Sequence, residues 1–375
     1  MQKRYIKGVG MTKFGLDETP INLLAYEAIT QAIEESNLTP NEIDAVVVSN
    51  TDSTYTAERQ RHFNSYISSL IKRQIPIIRV PAVCGGGGAA FWTACNLNYN
   101  NVLAVGADKI MTSTSQMITD QILEAAERIF EQEEGLIFPA QNALVAQQHM
   151  AKYGTTTDDL ALVAYKNHLN GSMNPKARFF GKKISLEEIK NSPIVASPLR
   201  LYDCSISVNG AAAAVISHDK TDIEISGSGL AVDNISTFER EDMTTWNAIK
   251  IAAEKAYAQA GLSSDDIDIA EIHDAFTIVE IISYEDLGFC EKGKGAEMIR
   301  NKETFVEGKI PVNVSGGLKA RGHPISPTGL AQIYELTKQL KKEAEDQQVT
   351  NVKVGLAQNI GGAGGTVSVH ILKKI

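Results

Sequence analysis

The sequence predicts an α/β protein built from two copies of one unit. In the first hundred residues, short apolar runs of strand length alternate with longer stretches whose apolar residues recur at the helical period. A later segment repeats this plan: Ala32–Asp44 reads AIEESNLTPNEID, and Ala256–Asp268 reads AYAQAGLSSDDID. Both segments pass from a helix end through a leucine and an acidic turn to Ile-Asp before a strand. Such internal similarity is typical of a duplicated fold, in which corresponding loops meet at one shared face.

The first half contains strands and helices in alternation. Apolar residues with helical spacing predict a helix over residues 20–36, after a first strand over 6–12. Apolar runs then predict strands at 45–48, 75–80 and 101–106. This alternation indicates one α/β unit rather than separate helical and strand regions.

Residues 110–200 interrupt the alternation and predict an insertion. Met, Gln, Asn, Ser and Pro are frequent there, and we expect helices near 141–153 and 158–170. The later part of the insertion carries six basic residues: Lys166, Lys176, Arg178, Lys182, Lys183 and Lys190. A solvated surface is the simpler interpretation of this basic cluster, and an anion-binding excursion over an active site is the alternative.

The second half restarts the pattern of the first. Two further pairs of segments correspond: Ile75–Pro76–Ile77 with Ile310–Pro311–Val312, and Gly210–Ile216 with Gly364–Ile371. We therefore expect an N-terminal half over residues 1–220, which includes the insertion, and a C-terminal half over residues 221–375.

The composition is that of an ordinary globular protein. The 375 residues are 43% hydrophobic and 22% charged, and no apolar run reaches the ~20 residues that a membrane-spanning helix needs. The N-terminus lacks the apolar core of a signal peptide. Four widely spaced cysteines (Cys84, Cys95, Cys204 and Cys290) without a CxxC pair argue against a metal site and for a reducing cytoplasm. The formal charge of −9 argues against nucleic-acid or membrane partners.

Cys84 lies at the junction between a predicted strand and a predicted helix. The strand ends at this cysteine, and Gly85–Gly88 precede a helical stretch that begins near Ala89. The free amides and the positive dipole end of a helix N-terminus favour a thiolate, which would make Cys84 a nucleophile. The alternative is a buried cysteine beside a packing turn. Cys95 lies three helical turns further on, about 16 Å away, and we expect it in the core.

Two histidines occupy loop positions in the second half. His273 follows a predicted strand and is equivalent in the repeat to Ser49, while His323 lies in a glycine-rich loop before a helix. Each histidine alone would more often be structural. Together, opposite a cysteine at a helix N-terminus, they predict a Cys/His nucleophilic site that both halves assemble.

A further glycine-rich segment, residues 358–365, ends a strand near the C-terminus. Its bend can direct backbone amides at a developing oxyanion. A nucleotide-phosphate turn is the alternative, but no glycine run has the GxGxxG spacing with an acidic residue about 20 positions later.

The site segments described above belong to a longer series of short motifs that runs from end to end of the chain. In order, the motifs are Gly8–Gly15, Lys166–His168 with Asn174–Pro175, Asn209–Ala212, His273–Phe276, Leu287–Cys290, Asn313–Gly317 with Gly322–Pro324, and Asn359–Gly361. This ordered set resembles the thiolase superfamily, in the branch of sterol-carrier-protein-type and archaeal thiolases. The resemblance implies a thiolase fold, a five-layered αβαβα arrangement of two similar halves. It also implies that the insertion is the loop domain that covers coenzyme A.

The resemblance further implies an activity. Cys84 would carry the acyl group, and His323 would activate it. His273 would help to bind the thioester oxygen, and the amides of Cys84 and Gly361 would form a second oxyanion hole. Two acetyl-CoA molecules would then condense to acetoacetyl-CoA in a ping-pong Claisen reaction, and thiolysis is the reverse. No cofactor beyond the coenzyme A thioester substrates is expected, and the chain would form a homodimer or a dimer of dimers through its N-terminal halves.

The sequence departs from the family pattern at the second acid/base. Commoner thiolases have a cysteine at the position of Asn359, and sterol-carrier-type thiolases have one at the position of Ala275; Gln358 also replaces a histidine of the latter pattern. A positioned acid/base contributes about 10²–10⁴-fold. We therefore expect His273 or His323 to take the α-proton, with Asn359 as a further candidate site residue. The alternative is an acyl-transfer or scaffold subunit that associates with a hydroxymethylglutaryl-CoA synthase through a small OB-fold zinc protein.

Overall fold

The computed structural model describes residues 3–16, 18–51, 60–111 and 115–375. The strands are β1 (Tyr5–Met11), β2 (Ala45–Ser49), β3 (Ile77–Arg79), β4 (Asn101–Asp108), β5 (Ile194–Ala196), β6 (Leu199–Arg200), β7 (Gly210–Ser217), β8 (Ile223–Val232), β9 (Ile269–Glu271), β10 (Val354–Gly361) and β11 (Thr366–Lys374). The helices are α1 (Ile21–Glu35), α2 (Phe63–Ile71), α3 (Gly86–Asn96), α4 (Ser115–Leu123), α5 (Phe138–Tyr153), α6 (Thr157–Gly171), α7 (Leu186–Lys190), α8 (Asn247–Ala260), α9 (Thr277–Asp286), α10 (Gly295–Arg300), α11 (Gly317–Ala320) and α12 (Thr328–Lys341).

The strands form two similar half-sheets. Nine strands follow the order β3-β2-β4-β7-β1-β8-β11-β10-β9, and the single pair Tyr5–Glu224 joins the halves between β1 and β8. In the first half, β2 is parallel to β3 and β4, while β7 is antiparallel to β4 and β1. In the second half, β9 is parallel to β10, while β11 is antiparallel to β10 and β8. The predicted duplication is confirmed, and the predicted division at residue 220 falls between β7 and β8.

The helices divide the molecule into five layers. Helices α3 and α12 pack against each other and against strands of both half-sheets, so they form the middle layer. Helices α1 and α2 cover the outer face of the first half-sheet, and α8 covers that of the second. Three of the apolar clusters occupy the spaces between these layers. The αβαβα arrangement follows, as predicted.

The middle layer depends on glycines at its closest helix contact. A Cβ added to Gly329 in α12 would lie 2.2 Å from the backbone nitrogen of Gly88 in α3. At such a distance a side chain cannot fit unless the backbone moves. The small residues at the start of α3 therefore let the two central helices approach closely, and this sets the position of the turn that precedes α3.

The predicted insertion contains helices α4–α7 and the hairpin of β5 and β6. The expected helices at 141–153 and 158–170 are present as α5 and α6. Helix α5 begins earlier than expected, with Pro139 in its first turn, where a missing N–H is tolerated. Helix α6 begins at a capping box between Thr156 and Asp159.

The basic cluster of the insertion does not form one surface. Lys166 is fully buried, with its Nζ 2.7 Å from the Glu280 carboxylate and donating to the backbone oxygen of Val312. Lys176 donates to the backbone oxygen of Met11, whereas Lys182 and Lys183 are exposed. The solvated-surface interpretation is thus wrong for Lys166, because a buried carboxylate compensates its charge. Among the described residues, no helix is long and apolar enough to cross a membrane.

Candidate active site

Cys84 lies in a sharp turn immediately before α3. The segment Val83–Gly85 forms one turn of 3-10 helix that leads into the α-helix at Gly86. Val83 has a φ of 49°, a left-handed conformation that β-branched residues rarely adopt. The cysteine is therefore held at the helix N-terminus, as predicted, by a strained backbone. The turn also touches the end of β10, because a Cβ added to Gly85 would lie 2.9 Å from the nitrogen of Gly361.

The environment of Cys84 favours the thiol rather than the thiolate. Burial, followed by the charge of the nearby Asp108 carboxylate, raises the pKa of Cys84 to about 12. A hydrogen bond from the backbone N–H of Gly362 acts in the opposite direction. The expectation that the helix N-terminus favours a thiolate is therefore wrong for the resting state, because burial outweighs the amides and dipole at the helix end.

Asp108 is itself held in a buried hydrogen-bond network at the end of β4. Its carboxylate accepts hydrogen bonds from the backbone N–H and hydroxyl of Thr51 at 2.8 and 2.6 Å, and from the N–H of Ser326 at 2.8 Å. Burial raises the pKa of Asp108 to about 6. No motif in the sequence pointed to this residue.

The two predicted histidines lie side by side. The ring centroids of His273 and His323 are 5.2 Å apart, with the ring planes at 88°. The backbone N–H of His323 donates to Ile206, and its Nδ1 lies 2.8 Å from the hydroxyl of Thr328, the first residue of α12. Thr328 was not predicted as a site residue, although its place five residues after His323 at a helix start was visible.

Both imidazoles are neutral at neutral pH. Burial, followed by the charge of Arg321, lowers the pKa of His323 to about 3. Burial also lowers the pKa of His273 well below its ordinary value, and His323 and Lys319 add to this effect. A neutral imidazole can accept a proton at one ring nitrogen and donate from the other. The pair therefore has the protonation state that general base catalysis needs.

Two consecutive residues of β10 hold His273. The Oε1 of Gln358 accepts from the backbone N–H of His273 at 2.9 Å, and its Nε2 donates to Ser283. The Nδ2 of Asn359 lies 3.2 Å from the Nδ1 of His273 and 3.1 Å from the backbone oxygen of Cys84. Asn359 therefore connects the turn of Cys84 with the ring of His273.

A carboxylate ties the two histidine loops together. Asp274 accepts hydrogen bonds from the backbone N–H of Leu318 at 2.6 Å and from the Nδ2 of Asn167 at 2.7 Å. Leu318 lies in α11, directly before the loop of His323. The loops that carry His273 and His323 are thus fixed relative to one another by a buried charge rather than by apolar packing alone.

Cys84, His273 and His323 face one cavity of about 260 Å³. Most of its wall is apolar, and the insertion contributes to it; its other lining residues include Ile122, Ile137, Phe138, Trp246, Ala275, Phe276 and Gly362. The structure therefore brings the three predicted side chains together. Gly361 stands at the end of β10 beside the Cys84 turn, and its neighbour Gly362, which was not predicted, reaches the sulfur.

The other cysteines have different positions. Cys95 is buried in the central apolar core, as expected. Cys204 lines the cavity, but its sulfur donates to the backbone oxygen of Arg200 at 3.5 Å. Cys290 packs at the edge of the second core. Among the described residues, no group of three or more His, Cys, Asp or Glu side chains is placed to hold a metal ion.

Solved structures share this fold over the whole chain. An assembly described as an Ltp2-ChsH2(DUF35) aldolase contains a chain that matches with a TM-score of 0.85 at 23% identity, covering 100% of this chain and 98% of that one. Human mitochondrial 3-ketoacyl-CoA thiolase matches with a TM-score of 0.72 at 16% identity, covering 100% and 99%. At these identities the likeness shows the fold alone.

Sequence comparison identifies the family of the chain. The model of the thiolase N-terminal domain matches residues 5–219, and that of the thiolase C-terminal domain-like family matches residues 229–374. An acetyl-CoA acetyltransferase of Methanothermobacter thermautotrophicus is 39% identical over 98% of both chains. Another, of Methanocaldococcus jannaschii, is 38% identical with the same coverage. With two family models that together span nearly all of it, the chain belongs to the thiolase family.

Proposed function

We propose that this protein is an acetyl-CoA C-acetyltransferase, which condenses two acetyl-CoA molecules to acetoacetyl-CoA and catalyses the reverse thiolysis. The observation that carries the proposal is the convergence of Cys84, His273 and His323 on one cavity that both halves and the insertion line. The full-length similarity to two archaeal proteins named as acetyl-CoA acetyltransferases supports the substrate class.

The first half-reaction moves an acyl group onto Cys84. The sulfur attacks the thioester carbonyl while its proton passes to a ring nitrogen of His323. The amides of Cys84 and Gly361 stabilise the oxyanion. The carbon–sulfur bond to coenzyme A then breaks, and His323 returns the proton to the leaving thiolate. Because the resting pair is a thiol and a neutral imidazole, the proton moves during the attack rather than before it.

The second half-reaction forms the carbon–carbon bond. A second acetyl-CoA loses an α-proton to a histidine of the site, and His273 helps to bind its thioester oxygen. The enolate carbon attacks the acyl carbon, and the bond to the Cys84 sulfur breaks. The proton on the base then returns to the sulfur, so that the enzyme is restored. Neither Ala275 nor Asn359 can supply the thiol that other family members use for this step.

A second candidate function is acyl transfer, or a structural role, within a larger assembly. The absence of the second cysteine favours it, since the carbon–carbon step would be slower. A structural neighbour whose description names a DUF35 protein also favours a small partner. In this case the partners would be a small OB-fold zinc protein and a hydroxymethylglutaryl-CoA synthase.

We also propose a cytoplasmic homodimer or dimer of dimers. All four cysteines are free thiols, which fits a reducing compartment. Strand β3 lies at one end of the sheet order and pairs, within the described residues, only with β2. Its Ile78 side chain is 41% exposed. An edge strand that carries an exposed apolar side chain is suited to pairing with a second copy.

The test is incubation with acetyl-CoA, followed by mass spectrometry of the peptide that contains Cys84 and by an assay of acetoacetyl-CoA thiolysis. We expect an acetyl adduct on Cys84 and turnover, both lost in Cys84→Ala. The matched control is Cys290→Ser, which removes a thiol outside the cavity and should retain both. An adduct without turnover would refute the thiolase proposal in favour of acyl transfer. Absence of any adduct would contradict both catalytic versions.

A further inference from the structure

Two backbone groups determine the orientation of the side-chain amide of Asn359. Its Oδ1 accepts a hydrogen bond from the N–H of Gly88 at 3.0 Å, and a backbone N–H can only donate. Its Nδ2 donates to the carbonyl oxygen of Cys84 at 3.1 Å, and a carbonyl oxygen can only accept. The two ends of the amide are therefore distinguished by their partners. The side chain is 1% exposed, so water does not compete for these bonds.

The remaining N–H of this amide determines the tautomer of His273. The Nδ2 of Asn359 lies 3.2 Å from the Nδ1 of His273. Because Nδ2 has only hydrogens to offer, Nδ1 must accept and so carries a lone pair. The ring is neutral, and its one proton is consequently on Nε2. The ring's charged and titratable neighbours are His323 and Lys319, and both disfavour a second proton on it.

We propose that Asn359 is a positioning residue that fixes His273 as the Nε2–H tautomer, so that His273 donates a hydrogen bond into the cavity and cannot act as the base. This inference rests on the proposed function and deepens it. Asn359 occupies the place of a catalytic cysteine, yet both of its N–H groups are engaged, so it takes part in no proton transfer. Gln358 completes the arrangement by holding the backbone N–H of the same histidine.

The consequence is a division of labour between the two histidines. His273 Nε2–H stabilises the negative charge that develops on the thioester oxygen as the enolate forms. His323 accepts the α-proton at Nε2, which requires that its Nδ1–H donate to the hydroxyl of Thr328, whose oxygen lies 2.8 Å from Nδ1. The proton later moves from His323 to the Cys84 sulfur when the carbon–sulfur bond breaks. One base therefore serves both half-reactions, and no second acid/base side chain is required.

The tautomer can be measured without any turnover. Protein labelled with [¹⁵N]histidine is compared with labelled His273→Asn protein, so that the two ring-nitrogen signals of His273 are identified by difference. We expect the chemical shift of an unprotonated nitrogen for Nδ1 and that of a protonated nitrogen for Nε2, unchanged between about pH 6 and about pH 9. A protonated Nδ1 would overturn the inference while leaving the acyl-enzyme proposal intact.

Asn359→Asp tests the same point in catalysis with a residue of equal size. A carboxylate can only accept a hydrogen bond, so the neutral ring would carry its proton on Nδ1, donate it to the carboxylate and present a bare Nε2 to the cavity. At low pH the ring would hold both protons and Nε2 would still donate. The condensation rate relative to the unmodified enzyme should therefore fall as pH rises, by ~10²–10³-fold at the high-pH limit, the usual loss for one oxyanion donor.

The matched control is Asn96→Asp at the exposed end of α3, which adds the same charge. The ratio of its condensation rate to that of the unmodified enzyme should stay constant with pH. Acetylation of Cys84 in Asn359→Asp, followed by mass spectrometry, separates the two proposals. An adduct with a pH-dependent loss of condensation supports both proposals. An adduct with a ratio that does not vary with pH refutes the role of Asn359. No adduct on the unmodified enzyme refutes the proposed function, and the tautomer measurement then decides the inference alone.

Discussion

At the residue scale, Cys84 shows how burial and helix-end electrostatics compete. The turn and the four glycines correctly predicted a cysteine at a helix N-terminus, where amides favour a thiolate. The structure adds Asp108, a carboxylate from β4, and partly buries Cys84 at the wall of the cavity. These contributions come from residues far from Cys84 in the sequence, and they reverse the expected direction of the pKa shift.

The reactivity of Cys84 toward iodoacetamide should reveal this reversal. Because its pKa is raised to about 12, the thiolate fraction should rise about tenfold per pH unit from about pH 7 to about pH 9 without levelling off. Alkylation is followed by mass spectrometry of the Cys84 peptide. Asp108→Asn removes a negative charge that raises the pKa, so it should accelerate alkylation at every pH in this range. Asp120→Asn, an exposed position in α4, is the control and should change nothing. A plateau near about pH 8.5 would show that the helix end dominates after all.

At the element scale, periodic segments were predictable and buried polar contacts were not. Helix α1 spans Ile21–Glu35, within the expected 20–36. It was predictable because its apolar residues pack on one sheet face and therefore recur at the helical period in the sequence. The role of Lys166 was mistaken, since its partner Glu280 lies on α9, more than a hundred residues later. His273 and His323 were recognised from their loops. Their separation and the contacts of Asn359 depend on how β10, α3 and α12 pack.

The contact between α3 and α12 predicts a sensitive glycine. In Gly329→Ala the new Cβ would lie 2.2 Å from the nitrogen of Gly88 and 2.5 Å from the Oδ1 of Asn359. The helices must separate, so the free energy of unfolding should fall by about 1–3 kcal/mol, as for an overpacked core. Condensation should slow as well, because the bond between Gly88 and Asn359 lengthens.

Gly355→Ala provides the matched control for this substitution. Its Cβ would meet only side-chain atoms, the nearest being a methyl of Leu336 at 3.1 Å, which can give way. Urea unfolding of both variants measures the difference. Equal stability of Gly329→Ala and the unmodified protein would contradict the close approach of the two central helices.

At the scale of the whole molecule, duplication explains why the site draws on both halves. The repeated segments predicted two similar units, and the parallel pairs Val46–Ile77 and Ala270–Val312 occupy equivalent places in them. Cys84 comes from the first unit, and both histidines come from the second. This arrangement and the family could be predicted because the motifs recur in order along the chain. The acyl-group preference could not, since the cavity wall combines the insertion with α9 and β10, and only the folded chain shows which side chains meet there.

Strand β3, which lies at one end of the sheet order, leads to a prediction for the assembled protein. If two copies pair through β3 about a twofold axis, the same strand faces itself in antiparallel orientation, and a residue at its centre meets its own counterpart. In Ile78→Lys two ammonium groups would then be brought together at an interface that was apolar. Light scattering after gel filtration should show a dimer for the unmodified chain of 40.6 kDa and a shift to monomer in this variant. Because like charges placed directly opposite destabilise strand pairing, the dissociation constant of the dimer should rise at least about tenfold. Ile251→Lys is the control, because Ile251 is 42% exposed on the outer helix α8, nearly the same as the 41% of Ile78, and the dimer should persist. A monomeric unmodified protein at micromolar concentration, or equal dimerisation of both variants, would show that β3 is not the interface.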